Sequence, residues 1–172
     1  MSDAETTIAT YRVTLAMPLR QVSLCFLMRE QQVMLAMKKR GWGVGKWNGA
    51  GGKPEPGETI EETALRETWE EIGVVGRQPA LVATLNFYFP YVPVESNWNQ
   101  QVCVYLLRMW DGEPAESEEM APRWFDVDRL PLDAMWADAR LWLPRMLRGE
   151  RLTADFLYDA TGEGVEAYRI TP

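Results

Sequence analysis

Residues 52–74 read GKPEPGETIEETALRETWEEIGV, and the reading of this stretch governs the reading of the rest of the chain. It opens on glycine, turns through Pro54-Glu55-Pro56-Gly57, and then contains neither proline nor glycine until Gly73. That spacing predicts a helix over Thr59–Ile72, stopped by a glycine able to adopt a left-handed conformation. At about 100° per residue, Leu65, Trp69 and Ile72 fall on one side of it. Glu67, Glu70 and Glu71 fall together on the other. Like charges at these spacings repel by roughly a few tenths of a kcal/mol per pair, and the C-terminal half of a helix disfavours anions. A divalent cation would remove both penalties; a solvated acidic face is the alternative. Carboxylate oxygens, with no thiol or imidazole nearby, suit Mg²⁺ or Mn²⁺ rather than zinc. The Gly51-Gly52 entry leaves room for a phosphate and lets a main-chain carbonyl reach the same cation.

The remaining composition narrows the chemistry. A chain of 172 residues, 47% hydrophobic and 25% charged, suits one compact domain with a sizeable core. A net charge of −7 without a basic stripe argues against a nucleic-acid polymer as partner. There is no histidine, so proton transfer falls to carboxylates, lysine, tyrosine or water. Cys25 and Cys103 sit in apolar runs, match no zinc spacing, and read as buried small hydrophobes of a reducing cytosol. No signal peptide precedes the core, and no apolar run reaches the ~18 residues of a membrane helix. A soluble, cytoplasmic protein with no membrane partner is expected. The sequence does not decide whether the chain pairs with itself, and a monomer is favoured.

Along the chain, residues 1–9 read as a loose tail and Tyr11–Met17 as a weak strand or extended arm. Val22–Met28 is a near-continuous apolar run suited to a strand buried on both faces. Val33–Met37 follows a polar turn, giving a hairpin. Residues 41–53, GWGVGKWNGAGGK, hold six glycines, so this loop needs positive φ or close approach to something. Strands are expected at Leu81–Phe89, Gln101–Met109 and Arg123–Val127, with a loop at Pro90–Asn99 and an acidic loop at Asp111–Pro122. Asp138 is placed to cap a helix running to about Leu147, kinked at Pro144 and stopped at Gly149. Leu152–Tyr158 and Val165–Ile170 form a closing hairpin. The fold class is α+β: a mixed, mostly antiparallel sheet between two main helices.

Gly52, Glu58, Arg66-Glu67, Glu70-Glu71 and Gly73 reproduce the spacing G-x5-E-x7-R-E-U-x-E-E-x-G-U, where U is aliphatic. The chain thereby resembles the Nudix hydrolases, with Thr68 at a position that is usually aliphatic. The resemblance implies an α/β/α sandwich and Mg²⁺-dependent hydrolysis of a nucleoside diphosphate linked to another group. It implies that Glu67, Glu70 and Glu71 are metal ligands with the Gly52 carbonyl nearby, and that Arg66 orients Glu58 through a salt bridge. Beyond the box, residues 37–53, ESEEM at 116–120, RWF at 123–125 and MWAD at 135–138 are similar to the members of that family that hydrolyse oxidised purine nucleoside triphosphates. The similarity covers 21–172 as one domain, leaving 1–20 as an extension and a longer loop at 90–99.

By that resemblance, Asn48 and Asp138 would read the base edge and Trp136 would stack on the base. Trp42 would form another wall, Phe87 and Phe89 would close the pocket, and Lys38 would sit near the sugar. Glu119 would join the metal site or act as general base. The implied reaction converts nucleotides such as 8-oxo-dGTP and 2-hydroxy-dATP to monophosphate and pyrophosphate, sanitising the nucleotide pool. Two departures bear on the substrate. Trp42 replaces a usual Phe, and Ala139 replaces a second acid after Asp138; two adjacent acids can share protons and so adapt to different purine edges. A narrower range of purines, or weaker recognition, is expected. The alternatives are another nucleotide, methylated or unmodified, and a non-catalytic nucleotide-binding protein.

Overall fold

The apolar run at 22–28 becomes the centre of the sheet. The computed structural model, which describes all of residues 1–172, places it in β1 (Arg20–Arg29). Leu24, Phe26 and Met28 face one side and Cys25 and Leu27 the other, and all five are buried. Both sides are covered, so the strand shows no polar alternation. After α1 (Asp3–Arg12) and β1 come β2 (Gln32–Lys38), β3 (Trp47–Asn48), α2 (Ile60–Ile72), β4 (Val75–Arg77), β5 (Ala80–Tyr88) and β6 (Gln100–Leu107). Then follow β7 (Met109–Asp111), β8 (Met120–Asp126), α3 (Ala139–Leu147), β9 (Leu152–Tyr158) and β10 (Val165–Thr171).

The main sheet runs β10-β9-β5-β6-β1-β2-β3, with β8 also paired to β2. Only β1 with β6 and β5 with β9 are parallel; the other pairs are antiparallel. On one face, Trp142, Leu143 and Met146 of α3 pack on Leu24, Phe26, Val104 and Phe156. On the other, Ala64 and Ile72 of α2 pack on Cys25, Leu27, Met34 and Tyr105. Each large apolar side chain buried here contributes roughly 1.5–3 kcal/mol, and the α3 face, with its 22-residue cluster, is the larger anchor. Cys25 and Cys103 are both free and buried, and burial pushes the Cys25 thiol up to about 12. No helix is long and apolar enough to cross a membrane.

The N-terminus departs from expectation. Residues read as a loose tail and a weak strand form α1, and no strand covers Tyr11–Met17. Ser2 accepts from the Glu5 N–H and Glu5 accepts from the Ser2 N–H, closing a capping box. Ile8 is buried against Tyr88, Leu157 and Ala167, a patch of the sheet beyond the reach of α2. This is a third helix beside the two expected. Two strands also differ. The strand expected to reach Met109 ends at Leu107, after which the chain enters β7 to pair with β4. The strand expected at Arg123 begins at Met120, because β2 offers it partners as far as Lys38.

Candidate active site

Helix α2 is fixed at both ends. Thr59 and Glu62 form a capping box, and Gly73 closes the other end at φ 76°. Its buried face carries Thr63, Ala64, Thr68, Glu71 and Ile72, whereas Trp69 is 58% exposed. The expected core stripe of Leu65, Trp69 and Ile72 is therefore rotated. The helix lies against the segment at 50–52 as well as against β1, and this draws Glu71 inward and turns Trp69 to solvent. Thr68 is tolerated in the interior because its hydroxyl donates to the Ala64 carbonyl at 2.6 Å.

Arg66 uses all five of its N–H donors. It grips Glu58 with two bonds, at 2.8 and 3.0 Å, and donates to Glu67 at 2.9 Å, Glu70 at 3.1 Å and the Lys53 carbonyl at 3.1 Å. The guanidinium, helped by the Glu55 N–H, holds the Glu58 carboxyl down at about 2. Close approach requires glycine at Gly51, where a Cβ would run into the Ser23 carbonyl, while a Cβ at Gly52 would press on the end of the Glu67 carboxylate. Burial raises the Glu67 carboxyl above its ordinary value, against the pull of Arg66.

Glu71 is 5% exposed and accepts one hydrogen bond, from the Gly51 N–H at 3.0 Å. Burial pushes its carboxyl up to about 7, and the nearby Glu67 and Glu119 charges add to this while Lys38 opposes it. Glu119 comes from the opposite wall, just before β8. Arg40 bonds it at 2.6 Å and holds its carboxyl below the usual range.

Lys38, Gly52, Glu67, Glu71 and Glu119 are thus gathered at one end of a cleft, while Glu70 lies half exposed on Arg66. No three acidic side chains converge at metal-ligating spacing, because Arg66 holds two of them and Gly51 the third. The Gly52 carbonyl accepts from the Ser23 N–H at 2.8 Å and ties the loop to β1. The neighbouring Gly51 carbonyl accepts from no group of the chain. Of the two carbonyls in this loop, that of Gly51 is the one without a donor in the chain. A buried carboxylate with one neutral partner, flanked by like charges and all-oxygen donors, fits a hard divalent cation.

A cavity of about 760 Å³ runs from Gly51, Gly52, Glu71 and Glu119 to an aromatic end around Trp136 and Asp138. Asn48, on β3, spends its side-chain oxygen on the Gly49 N–H at 2.9 Å, and its amide N–H groups have no partner in the chain. Phe87 and Phe89 are buried and stack on Phe156 and Tyr158. Trp42 and Trp136 do not stand as separate walls: their rings stack at 4.3 Å and 27°. Gly43 permits this, since a Cβ there would press on the Trp136 ring at 3.0 Å.

Asp138 makes no capping bond to α3. It is buried and accepts from Trp142 Nε1 at 2.7 Å and the Tyr158 hydroxyl at 2.5 Å, and burial raises its carboxyl above the ordinary value. Ala139 beside it is buried and lines the same cavity.

The cavity also contains residues that sequence reasoning passed over. Trp98 packs on Trp42 and edge-on to Phe89. Arg20 and Gln100 stand side by side on β1 and β6, and Arg20 Nε is buried without a partner. Trp98 lay in a loop read only for its length, and Arg20 in a segment read as an extension. For the donors to Asp138, the signal was the acid itself, since a buried carboxylate requires donors.

Residues 17–146 match the NUDIX domain. The chain is 41% identical to an oxidized purine nucleoside triphosphate hydrolase of Danio rerio over 80% of its own length and 85% of that protein's. It is 38% identical to the protein of the same description from Mus musculus, over 81% and 86%. Among solved structures, a mutator MutT protein from Bacillus halodurans superposes with a TM-score of 0.74 at 28% identity, covering 90% of this chain and 99% of the other. The glycine entry, the Arg66-centred ion pairs and the glutamate helix, together with these likenesses, place the chain in the NUDIX family.

Proposed function

We propose that the chain is a Mg²⁺-dependent pyrophosphohydrolase of oxidised purine nucleoside triphosphates, acting on a cytoplasmic nucleotide pool. The observation that carries this reading is the single cavity joining an acidic end to an aromatic one. A triphosphate has chemistry for the first and a purine for the second. The described activity of the zebrafish and mouse relatives supports the same assignment.

Glu67, Glu70, Glu71 and Glu119, with the Gly51 carbonyl, would hold the cation. When bound, it would neutralise charge on the phosphates and acidify a water, as Mg²⁺ does at oxygen-rich sites, with Mn²⁺ an acceptable substitute. Glu71 keeps free lone pairs for this work because Gly51 occupies only one. Arg66 does not touch substrate; it fixes Glu58, Glu67 and Glu70. The oxygen of water adds to a phosphorus of the chain, the bond to the bridging oxygen breaks, and Glu71 or Glu119 takes the proton. Monophosphate and pyrophosphate leave. Lys38 lies beside these charges and the cavity.

At the other end, the stacked Trp42–Trp136 pair supplies the aromatic surface, Asn48 free N–H donors and Asp138 an acceptor already engaged twice. With Ala139 in place of a second acid, the base edge meets one carboxyl, and we assign a narrow purine range to this pocket. A pyrophosphate-release screen over normal and oxidised dNTPs with Mg²⁺ tests the reading. Preference for an oxidised purine is expected. Preference for an unmodified or methylated purine would move the substrate, and no release with any nucleotide would leave a binding protein.

A further inference from the structure

The N-terminal helix ends beside the pocket loop, and one residue joins the two. Asn99 closes the 90–99 loop and is partly buried. Its side-chain oxygen accepts from the Phe89 N–H at 2.8 Å, and its side-chain nitrogen donates to the Tyr11 hydroxyl at 3.1 Å. Its carbonyl accepts from the Arg20 N–H at 3.1 Å. Phe89 and Arg20 both line the cavity, as do Trp98 and Gln100 on either side of Asn99. Asn99 therefore bonds two cavity residues, Phe89 and Arg20, and is flanked in the chain by two more, Trp98 and Gln100. Trp98 in turn touches Phe89 and Trp42, and Trp42 covers Trp136. Tyr11 is itself fixed: its ring stands edge-on to Tyr88 at 6.0 Å, and Ile8, one turn earlier, is buried.

We propose that α1 is a working part of the nucleotide pocket, with Tyr11 and Asn99 as positioning residues that hold the Trp98 wall for the purine. The idea rests on the reading of the cavity as a purine nucleotide site and adds to it the N-terminal segment. A side-chain amide whose oxygen and nitrogen are both engaged fixes its neighbours in one arrangement. Without the Tyr11 bond the loop samples others, and substrate binding must reselect the competent one, which weakens apparent affinity by the fraction lost. The acidic end shares no hydrogen bond with this chain of contacts, so the chemical step is left alone.

Tyr11→Phe removes only the hydroxyl and keeps the ring on Tyr88. With an oxidised purine triphosphate as substrate, KM is expected to rise roughly three- to tenfold, the size of one lost hydrogen bond, with kcat and the melting temperature nearly unchanged. Asn99→Asp should stay near wild type, because its carboxylate can accept from both Phe89 N–H and Tyr11 O–H. Tyr11→Phe made on an Asn99→Ala background should add nothing further to KM. An unchanged KM in Tyr11→Phe, a fall in kcat instead, or full additivity of the two substitutions would overturn the inference while leaving the function standing. Absence of turnover by the wild-type chain on every purine nucleotide would overturn both together.

Discussion

At the acidic end of the cavity, Gly51, Gly52, Glu67 and Glu71 come from one stretch, where Arg66 holds Glu67 and the Gly51 N–H holds Glu71, while Lys38 and the Arg40-bound Glu119 arrive from elsewhere. At the aromatic end, Trp42, Asn48, Phe87, Trp98 and Trp136 come from a glycine loop, two strands and two connections far apart in the chain. The first is mostly a local structure, set by helix periodicity and one capping box, with Glu119 and Lys38 added by the pairing of β8 with β2. The second exists only after the sheet has brought its segments together. The two ends therefore fail in different ways: one through a lost charge arrangement, the other through a lost surface.

The largest expected effect lies at the acidic end. Glu71→Gln keeps an acceptor for the Gly51 N–H and removes an awkward buried charge. Activity should fall about 10²- to 10⁴-fold, while the melting temperature holds or rises. A variant with near-normal kcat would remove Glu71 from the chemistry. Trp136→Ala should do the reverse, raising KM about ten- to a hundredfold by loss of stacking with a smaller change in kcat. If kcat carried the loss instead, the division between the two ends would be wrong.

Arg66→Ala leaves the partly buried Glu58 and Glu67 without their ion-pair partner and should lower the urea unfolding midpoint. An unchanged midpoint would mean that the five bonds are solvent-replaceable. A smaller effect follows from Glu58. Its carboxyl is held at about 2 in the folded chain against an ordinary 4.5, so its contribution is complete above the higher value and disappears as pH falls through the lower. The gap in melting temperature between wild type and Glu58→Gln should be constant above about pH 5 and shrink below it. A gap that stays constant as the pH falls toward 2 would contradict that pairing. The subtlest change is Ala139→Asp, which restores an adjacent acid and should bring kcat/KM for 8-oxo-dGTP and 2-hydroxy-dATP closer together. Equal, high efficiency on both in the wild type would remove the reason for expecting a narrow pocket.

The same contrast explains what could be read in advance. Glu67, Glu70 and Glu71 could be read because a helix converts spacing into direction, and Gly52, Glu58 and Arg66 through the resemblance to the Nudix spacing. Periodicity still misjudged the core side of that helix, since it cannot see that the 50–52 segment packs against it and pulls Glu71 in. The Gly51 and Gly52 carbonyls were indistinguishable in sequence; only the bond to Ser23 separates them. The Trp42–Trp136 stack depends on a loop conformation that no spacing encodes. Helix α1 was missed for a different reason. Ile8 and Tyr11 are too few to make an apolar stripe, although Ser2 and Glu5 carry the S-x-x-E capping signal in plain view.

The most direct measurement is the product analysis of one reaction. With Mg²⁺ and 8-oxo-dGTP, the wild-type chain should release pyrophosphate and the nucleoside monophosphate in equal amounts, far faster than from dGTP, and Glu71→Gln should release almost none. Inorganic phosphate with a nucleoside diphosphate, a preference for dGTP, or equal rates from wild type and Glu71→Gln would contradict the assignment of the two ends.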